Sequence, residues 1–110
     1  MEIERGAILL AAAPGEYTGK PRPFLVVQSD LFNEVHPSLS LCPITSVMRG
    51  MPLYRVPLEQ GEATGLRQAS EVQIDKVQTI RRERVVEVIG RAPATAMALV
   101  DQNLRRWLEL

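Results

Sequence analysis

The chain has 110 residues, 45% of them hydrophobic and 24% charged, with 13 basic and 13 acidic side chains and a formal net charge of zero. That length fits a single domain with one core, residues 1–110, and the charge balance counts against indiscriminate nucleic-acid binding, leaving a local basic surface as the electrostatic route. No window approaches the roughly 18 uninterrupted apolar residues of a membrane-spanning helix, and the acidic start Met1-Glu2-Ile3-Glu4-Arg5 lacks the pattern of a signal peptide, so a cytoplasmic location is expected.

Cys42 is the only cysteine and His36 the only histidine. An internal disulfide and a multi-cysteine metal site are therefore excluded. Three scattered aspartates add no ligand cluster, so neither metal nor other cofactor is expected. Cys42 lies in the apolar run Leu39-Ser40-Leu41-Cys42-Pro43-Ile44, which reads as a buried, inert thiol rather than a nucleophile. His36 precedes Pro37 in a polar connection and belongs to no constellation.

Along the chain, Ala7 to Ala12 is a short apolar run bounded by Gly6 and Pro14-Gly15, and it reads as a first strand despite its alanines. The segment Gly19-Lys20-Pro21-Arg22-Pro23 cannot be regular structure, because its prolines fix φ, remove donors and extend their predecessors. Phe24 to Gln28 follows as a second strand, ending in Gln28-Ser29-Asp30. Arg22 is thus held at the mouth of a buried strand by a stiff loop, and its planar fork of donors suits phosphate. A solvated loop arginine is the plainer alternative.

Leu39 to Ile44 reads as a third strand with Leu39, Leu41 and Pro43 on one face. Leu53 to Leu58 alternates as a fourth, with Pro57 marking an edge or an end. Ala69 to Ile74, Val77 to Ile80 and Val85 to Ile89 give further short strands, the last closed by Gly90. The period then changes: Met97, Val100, Leu104 and Leu108 form one helical stripe. Pro93 fits its first turn, and Arg105 and Arg106 complement the dipole at its end. Trp107 is core or interface rather than a ligand platform. Closely spaced strands with turn signals between them predict a mainly β (α+β) fold, a small antiparallel barrel carrying a C-terminal helix.

An ordered set of pieces runs nearly end to end: Arg5-Gly6, Gly19 then Arg22-Pro23, Leu25-Val26-Val27-Gln28-Ser29-Asp30, Pro43-Ile44-Thr45-Ser46, Gly65-Leu66, Ser70-Glu71-Val72, Asp75-Lys76-Val77-Gln78-Thr79-Ile80, Arg84 ahead of Gly90, and Asp101 and Leu104 in the last helix. In this set the chain resembles the MazF/PemK (Kid) family of toxin endoribonucleases from toxin–antitoxin pairs. The resemblance implies an SH3-like barrel, a homodimer, an antitoxin protein as partner, and metal-independent cleavage of single-stranded RNA at short sequences. It carries Arg22, Thr45 and Asp75 over as catalytic residues, and Glu16, Tyr17, Lys20, Ser46, Ser70, Gln73 and Gln78 as contacts to substrate. Two departures stand out: Gln78 replaces a common Arg or Lys, and Gln73 stands two positions before Asp75, where one branch of the family has Arg.

Metal-free RNA cleavage uses the substrate's own 2′-OH as nucleophile, so the enzyme must assist its deprotonation, neutralise charge on phosphorus and protonate the leaving 5′-oxygen. Arg22 suits the second task, whereas a guanidinium pKa above about 12 argues against it as general base. Thr45 can donate to the same phosphate or cap a strand end. Asp75 can orient Arg22, accept a proton, or be an exposed turn carboxylate; Glu16 is a weaker candidate of the same kind. Tyr17 can stack on a base or cover the core. Lys76, Arg81, Arg82 and Arg84 form the main basic cluster, with Arg49, Arg55 and Arg67 scattered. The competing reading is a CcdB-like DNA gyrase poison, which resembles Val27-Gln28-Ser29-Asp30 and Pro43-Ile44 and acts by protein binding through the extreme C-terminus, near Trp107. A third is a barrel that only binds a protein partner.

Overall fold

The computed structural model describes residues 2–12 and 19–110. Its elements in order are β1 (Ala7–Ala11), β2 (Arg22–Val26), α1 (Asp30–Asn33), β3 (Ser38–Thr45), β4 (Arg55–Leu58), β5 (Ser70–Gln73), β6 (Gln78–Arg81), β7 (Val85–Arg91) and α2 (Ala94–Leu108), with 3-10 turns at Ile74–Lys76 and Arg82–Arg84. Every pairing is antiparallel. The hydrogen-bonded order is β4-β5-β3-β2-β1-β7, and β6 joins β3 off this path.

The expected β fold with a C-terminal helix is present, but the barrel is open: among the described residues the path ends at β4 and β7. Both ends are blunted rather than joined. On β4, Pro57 has no N–H to offer, and the Arg55 N–H is taken by Met51 O at 2.8 Å. On β7, Arg91 N donates to Ala63 O at 2.8 Å. Two register shifts between β1 and β7 add bend to this side of the sheet.

The central strands are buried on both faces, which explains why they read as continuous apolar runs rather than strict alternation. Ile8, Leu25, Cys42, Ile44 and Val72 point into one cluster with Ala96 and Val100 of α2. Leu9, Phe24, Val26, Leu39 and Leu41 point into the other with Ile80. The alanines of β1 are buried, small side chains where the sheet is most enclosed. In α2 the expected stripe holds at Val100, with Met97 and Leu104 partly buried, whereas Leu108 is 51% exposed and outruns the core.

Three local expectations are corrected. The proline-bounded segment before Phe24 is not irregular throughout: Arg22 and Pro23 open β2 against Ala11 and Leu10, and the strand ends at Val26 rather than Gln28. The segment after Gln28 does not end a strand in a bare loop; Ser29 caps α1, its Oγ accepting from Leu31 N at 3.2 Å. Buried Asn33 closes the turn through Gln28 O and Asp30 Oδ1. The fourth strand starts at Arg55, because Leu53 and Tyr54 belong to a turn whose Met51 O accepts the N–H groups of Tyr54 and Arg55.

The 61–66 loop packs backbone to backbone on β7. Gly65 has φ +73°, and a Cβ there would lie 2.1 Å from Ile89 O; a Cβ on Gly90 would lie 2.3 Å from the Thr64 carbonyl. Neither neighbour is a flexible side chain, so any Cβ must push strand and loop apart. Gly90→Ala is expected to destabilise the fold by about 2 kcal/mol or more, measured by urea unfolding. An unchanged unfolding midpoint would show that this contact is not tight.

Candidate active site

The β2–β3 ladder pairs Phe24 with Pro43, Leu25 with Cys42 and Val26 with Leu41. Continued two residues, the same register sets Arg22 opposite Thr45, and both share the face of Phe24 and Leu41 because side chains alternate with a period of two. Arg22 is exposed and Thr45 half-buried. Thr45 Oγ1 accepts the N–H of Val47 at 3.1 Å, so the capping role is real. It also leaves the hydroxyl proton free to be donated elsewhere. On the other side of Arg22, Ala11 pairs with both Arg22 and Val85, and Ala12 N donates to Arg84 O at 3.1 Å. Arg22 and the start of β7 thus flank the end of β1, about 10 Å apart across two strand spacings.

Beside Thr45 stands a buried ion pair that the sequence motifs did not single out. Glu71, the cross-strand partner of Thr45, meets Arg55 Nη1 at 2.9 Å, with side-chain exposures of 5% and 12%. Its carboxylate also accepts Arg49 N at 2.9 Å and Gly50 N at 3.1 Å, while Arg55 Nη1 donates to Val47 O at 3.0 Å. These bonds, led by the Arg49 N–H, hold the Glu71 carboxyl below its ordinary range against the opposing effect of burial. A cavity of about 390 Å³ lies behind the pair, lined in part by Met51, Pro52, Pro57, Leu99 and Asn103. The fold brings the two together: Arg55 pairs with Gln73, two residues along from Glu71 on the same face.

The other expected residues are dispersed. Asp75 sits in the Ile74–Lys76 turn, its Oδ1 buried without a hydrogen-bond partner among the described residues. It is therefore not simply an exposed turn carboxylate. Its charge adds to the rise of Cys42, whose thiol is pushed up to about 12, chiefly by burial. Cys42 points to the opposite face of β3 from Thr45. Gln73 and Gln78 are half-buried at the end of β5 and the start of β6, and Gln78 Nε2 donates weakly to Lys76 O at 3.4 Å. Ser46 and Lys20 are exposed. Ser70 is buried, with its hydroxyl on Gln68 O at 2.9 Å. Glu16 and Tyr17 lie outside the described residues. His36 holds a local turn, its Nδ1 accepting from Ser38 N at 3.0 Å.

The basic run is divided in role. Arg82 donates through its guanidinium to Asn33 O, and its backbone N–H to Pro37 O, so it braces α1. Arg84 stands by β1, and Arg81 at the end of β6 pairs with Ser38 of β3. Among the described residues no group of three or more His, Cys, Asp or Glu side chains is placed to hold a metal ion.

The fold and the order of these residues along it can be set beside those of known proteins. The chain belongs to the PemK-like, MazF-like toxins of type II toxin–antitoxin systems, whose family model matches residues 4–108. It is 41% identical over 102 residues to a probable endoribonuclease MazF of Mycolicibacterium smegmatis, covering 93% of each chain. Endoribonuclease EndoA of Bacillus subtilis is 26% identical over 113 residues, covering 100% of this chain and 97% of that one. Among solved structures, a MazE–MazF structure from Deinococcus radiodurans superposes with a TM-score of 0.81 at 27% identity, covering 100% of this chain and 98% of that one. The gyrase-poison reading falls with this family assignment.

The burial of Cys42 predicts that its thiol resists alkylation by iodoacetamide at pH 8 in the native protein and reacts only on unfolding. Mass spectrometry with and without urea checks this. Glu71 carries a lowered pKa, so its contribution to stability is complete above the ordinary glutamate value of 4.5 and is lost as pH falls through the lowered one. Glu71→Gln should therefore flatten the decline of melting temperature below that pH, and an unaltered acid limb would remove Glu71 as its source.

Proposed function

We propose that this chain is a cytoplasmic toxin that cleaves single-stranded RNA without a metal ion, using the 2′-OH at the cut site, and thereby blocks translation. What supports this reading is the β2–β3 register, which, continued two residues beyond the Phe24–Pro43 pair, sets Arg22 opposite Thr45. Arg22 holds non-bridging phosphate oxygens and neutralises the charge that grows on phosphorus. Thr45, with its oxygen already accepting from Val47, donates its proton to the same phosphate. Asp75, whose Oδ1 is buried without a hydrogen-bond partner among the described residues, is assigned to proton handling or to orienting the site. Lys20, Ser46, Gln73 and Gln78, with Glu16 and Tyr17, form the proposed surface for flanking nucleotides. Ser70, expected as a contact to substrate, is buried with its hydroxyl on Gln68 O and is left out of this surface.

The working unit is proposed as a homodimer. Val47, Met48, Met51, Leu53 and Leu99 are large apolar side chains at least 45% exposed, apolar surface that a second copy would cover. Its natural inhibitor is an antitoxin protein whose acidic segment competes with RNA for the arginine-bearing face. This is in keeping with the complexes of related toxins with cognate antitoxin.

Arg22→Ala is expected to lose about 10²–10³ in cleavage rate with the fold intact, because the side chain is exposed. Thr45→Val should be clearly impaired but lose less. Cleavage of a short RNA by the purified protein should persist in excess EDTA and leave a 2′,3′-cyclic or 3′-phosphate and a free 5′-OH. A single deoxyribose at the cut site should block it. Cleavage at that deoxy position would rule out attack by the 2′-OH, and near-full activity of Arg22→Ala would move the site elsewhere.

A further inference from the structure

The Glu71–Arg55 pair is an unusual thing to place beside a phosphate site. A buried ion pair seldom outweighs the cost of desolvating both charges, and an apolar pair of similar volume would serve the fold as well. The arrangement is also imperfect as a stabilising device, because Arg55 Nε is buried with no hydrogen-bond partner among the described residues. A carboxylate left unpaired next to Thr45 would repel RNA. Its hydrogen bonds show what it holds instead. Glu71 takes the N–H groups of Arg49 and Gly50, and the Arg55 guanidinium that it fixes takes Val47 O. Both polar groups of the Val47 backbone are then tied, the carbonyl to Arg55 and the N–H to Thr45 Oγ1.

We propose that Glu71 and Arg55 are positioning residues for RNA cleavage: the pair pins the loop that follows β3 and, through Val47, fixes the Thr45 hydroxyl as a donor aimed at the phosphate. This rests on the assignment of Thr45 to the site. A threonine hydroxyl rotates freely and readily turns to a nearby backbone carbonyl. Accepting the Val47 N–H selects the orientation in which the oxygen lone pair faces the loop and the proton faces away. If the pair is released, Val47 drifts, the hydroxyl loses its orienting partner, and the transition state loses a placed donor while RNA binding through arginine persists. Ground-state affinity and turnover should therefore separate.

The test uses Glu71→Gln and Arg55→Lys in the full-length protein, each first shown to be folded by circular dichroism and thermal melting. Single-turnover cleavage of a short RNA should fall by about 10–100-fold, the scale of a small misplacement at a reacting centre. Binding of the same RNA with one deoxyribose at the cut site should change by less than about 3-fold, the pattern of an interaction made only in the transition state. Each variant is then combined with Thr45→Val. If the pair acts through Thr45, the double variants should cleave no more slowly than Thr45→Val alone. Losses that multiply, a loss confined to binding, or full activity in a folded variant would each overturn the proposal. If Glu71→Gln does not fold, Arg55→Lys decides, since it keeps the charge and removes the fork. Full activity of Thr45→Val would instead remove Thr45 from the site, a failure of the site assignment that is read separately.

Discussion

The structure depends on β3, a strand that must satisfy three ladders. One edge pairs with β2. The other edge is divided, Ser38–Leu41 pairing with β6 and Ile44–Thr45 pairing with β5. One strand cannot serve two antiparallel partners along one edge unless the chain between them steps out of the ladder, and the 3-10 turn at Ile74–Lys76 makes that step. Asp75 is in the turn because the turn is needed. Thr45 lies at the end of the β5 half, and Gln78 opens the β6 half opposite Leu41. The polar residues strung along this edge therefore owe their order to topology before they owe anything to chemistry.

Burial of β1, β2 and β3 on both faces follows from the same constraint. A short strand with apolar residues on both sides cannot face water, so α2 covers one face and the curl of β6 and β7 encloses the other. Where the strands end, the apolar runs end, and Arg22, Thr45 and Arg84 emerge at the boundary of the core. Backbone groups freed there are satisfied locally: Thr45 by Val47, the Arg49 and Gly50 N–H groups by Glu71, and Ala12 N by Arg84 O. The donors freed at this rim find their acceptors within the rim.

Much of this was legible in the sequence, and what was missed has a common cause. The strands from Phe24, Leu39, Ala69 and Val85 and the helix after Pro93 were visible because apolar runs and proline or glycine boundaries are local signals. Arg22 was visible because two prolines isolate it. The α1 turn was hidden: four residues give no periodicity, and only Ser29 as a cap marks it. Leu53 and Tyr54 copied the alternation of a strand while the backbone turned beneath them. The ion pair was invisible for a deeper reason. Arg55 and Glu71 lie 16 residues apart, and their meeting depends on the β4–β5 register, which only the fold supplies. Asn103 is of the same kind: a polar residue on the helical stripe, buried because it donates to Pro52 O across 51 positions.

The arginine content misleads if it is read as charge for RNA. Arg5 donates to Val27 O and Asp101, Arg55 to Val47 O and Glu71, Arg82 to Asn33 O, Arg91 to Glu4 and Arg5 O, and Arg106 to Leu53 O and Asn103. Each ties segments remote in sequence, and most grip a backbone carbonyl that no strand partner satisfies. A guanidinium does this better than an ammonium, because its planar fork can serve an acceptor and a carboxylate at once. With a zero formal charge, the electrostatic case for RNA rests on where the cations stand rather than on how many there are. Arg22 and Arg84 stand on either side of β1, at the rim where the apolar strands give out.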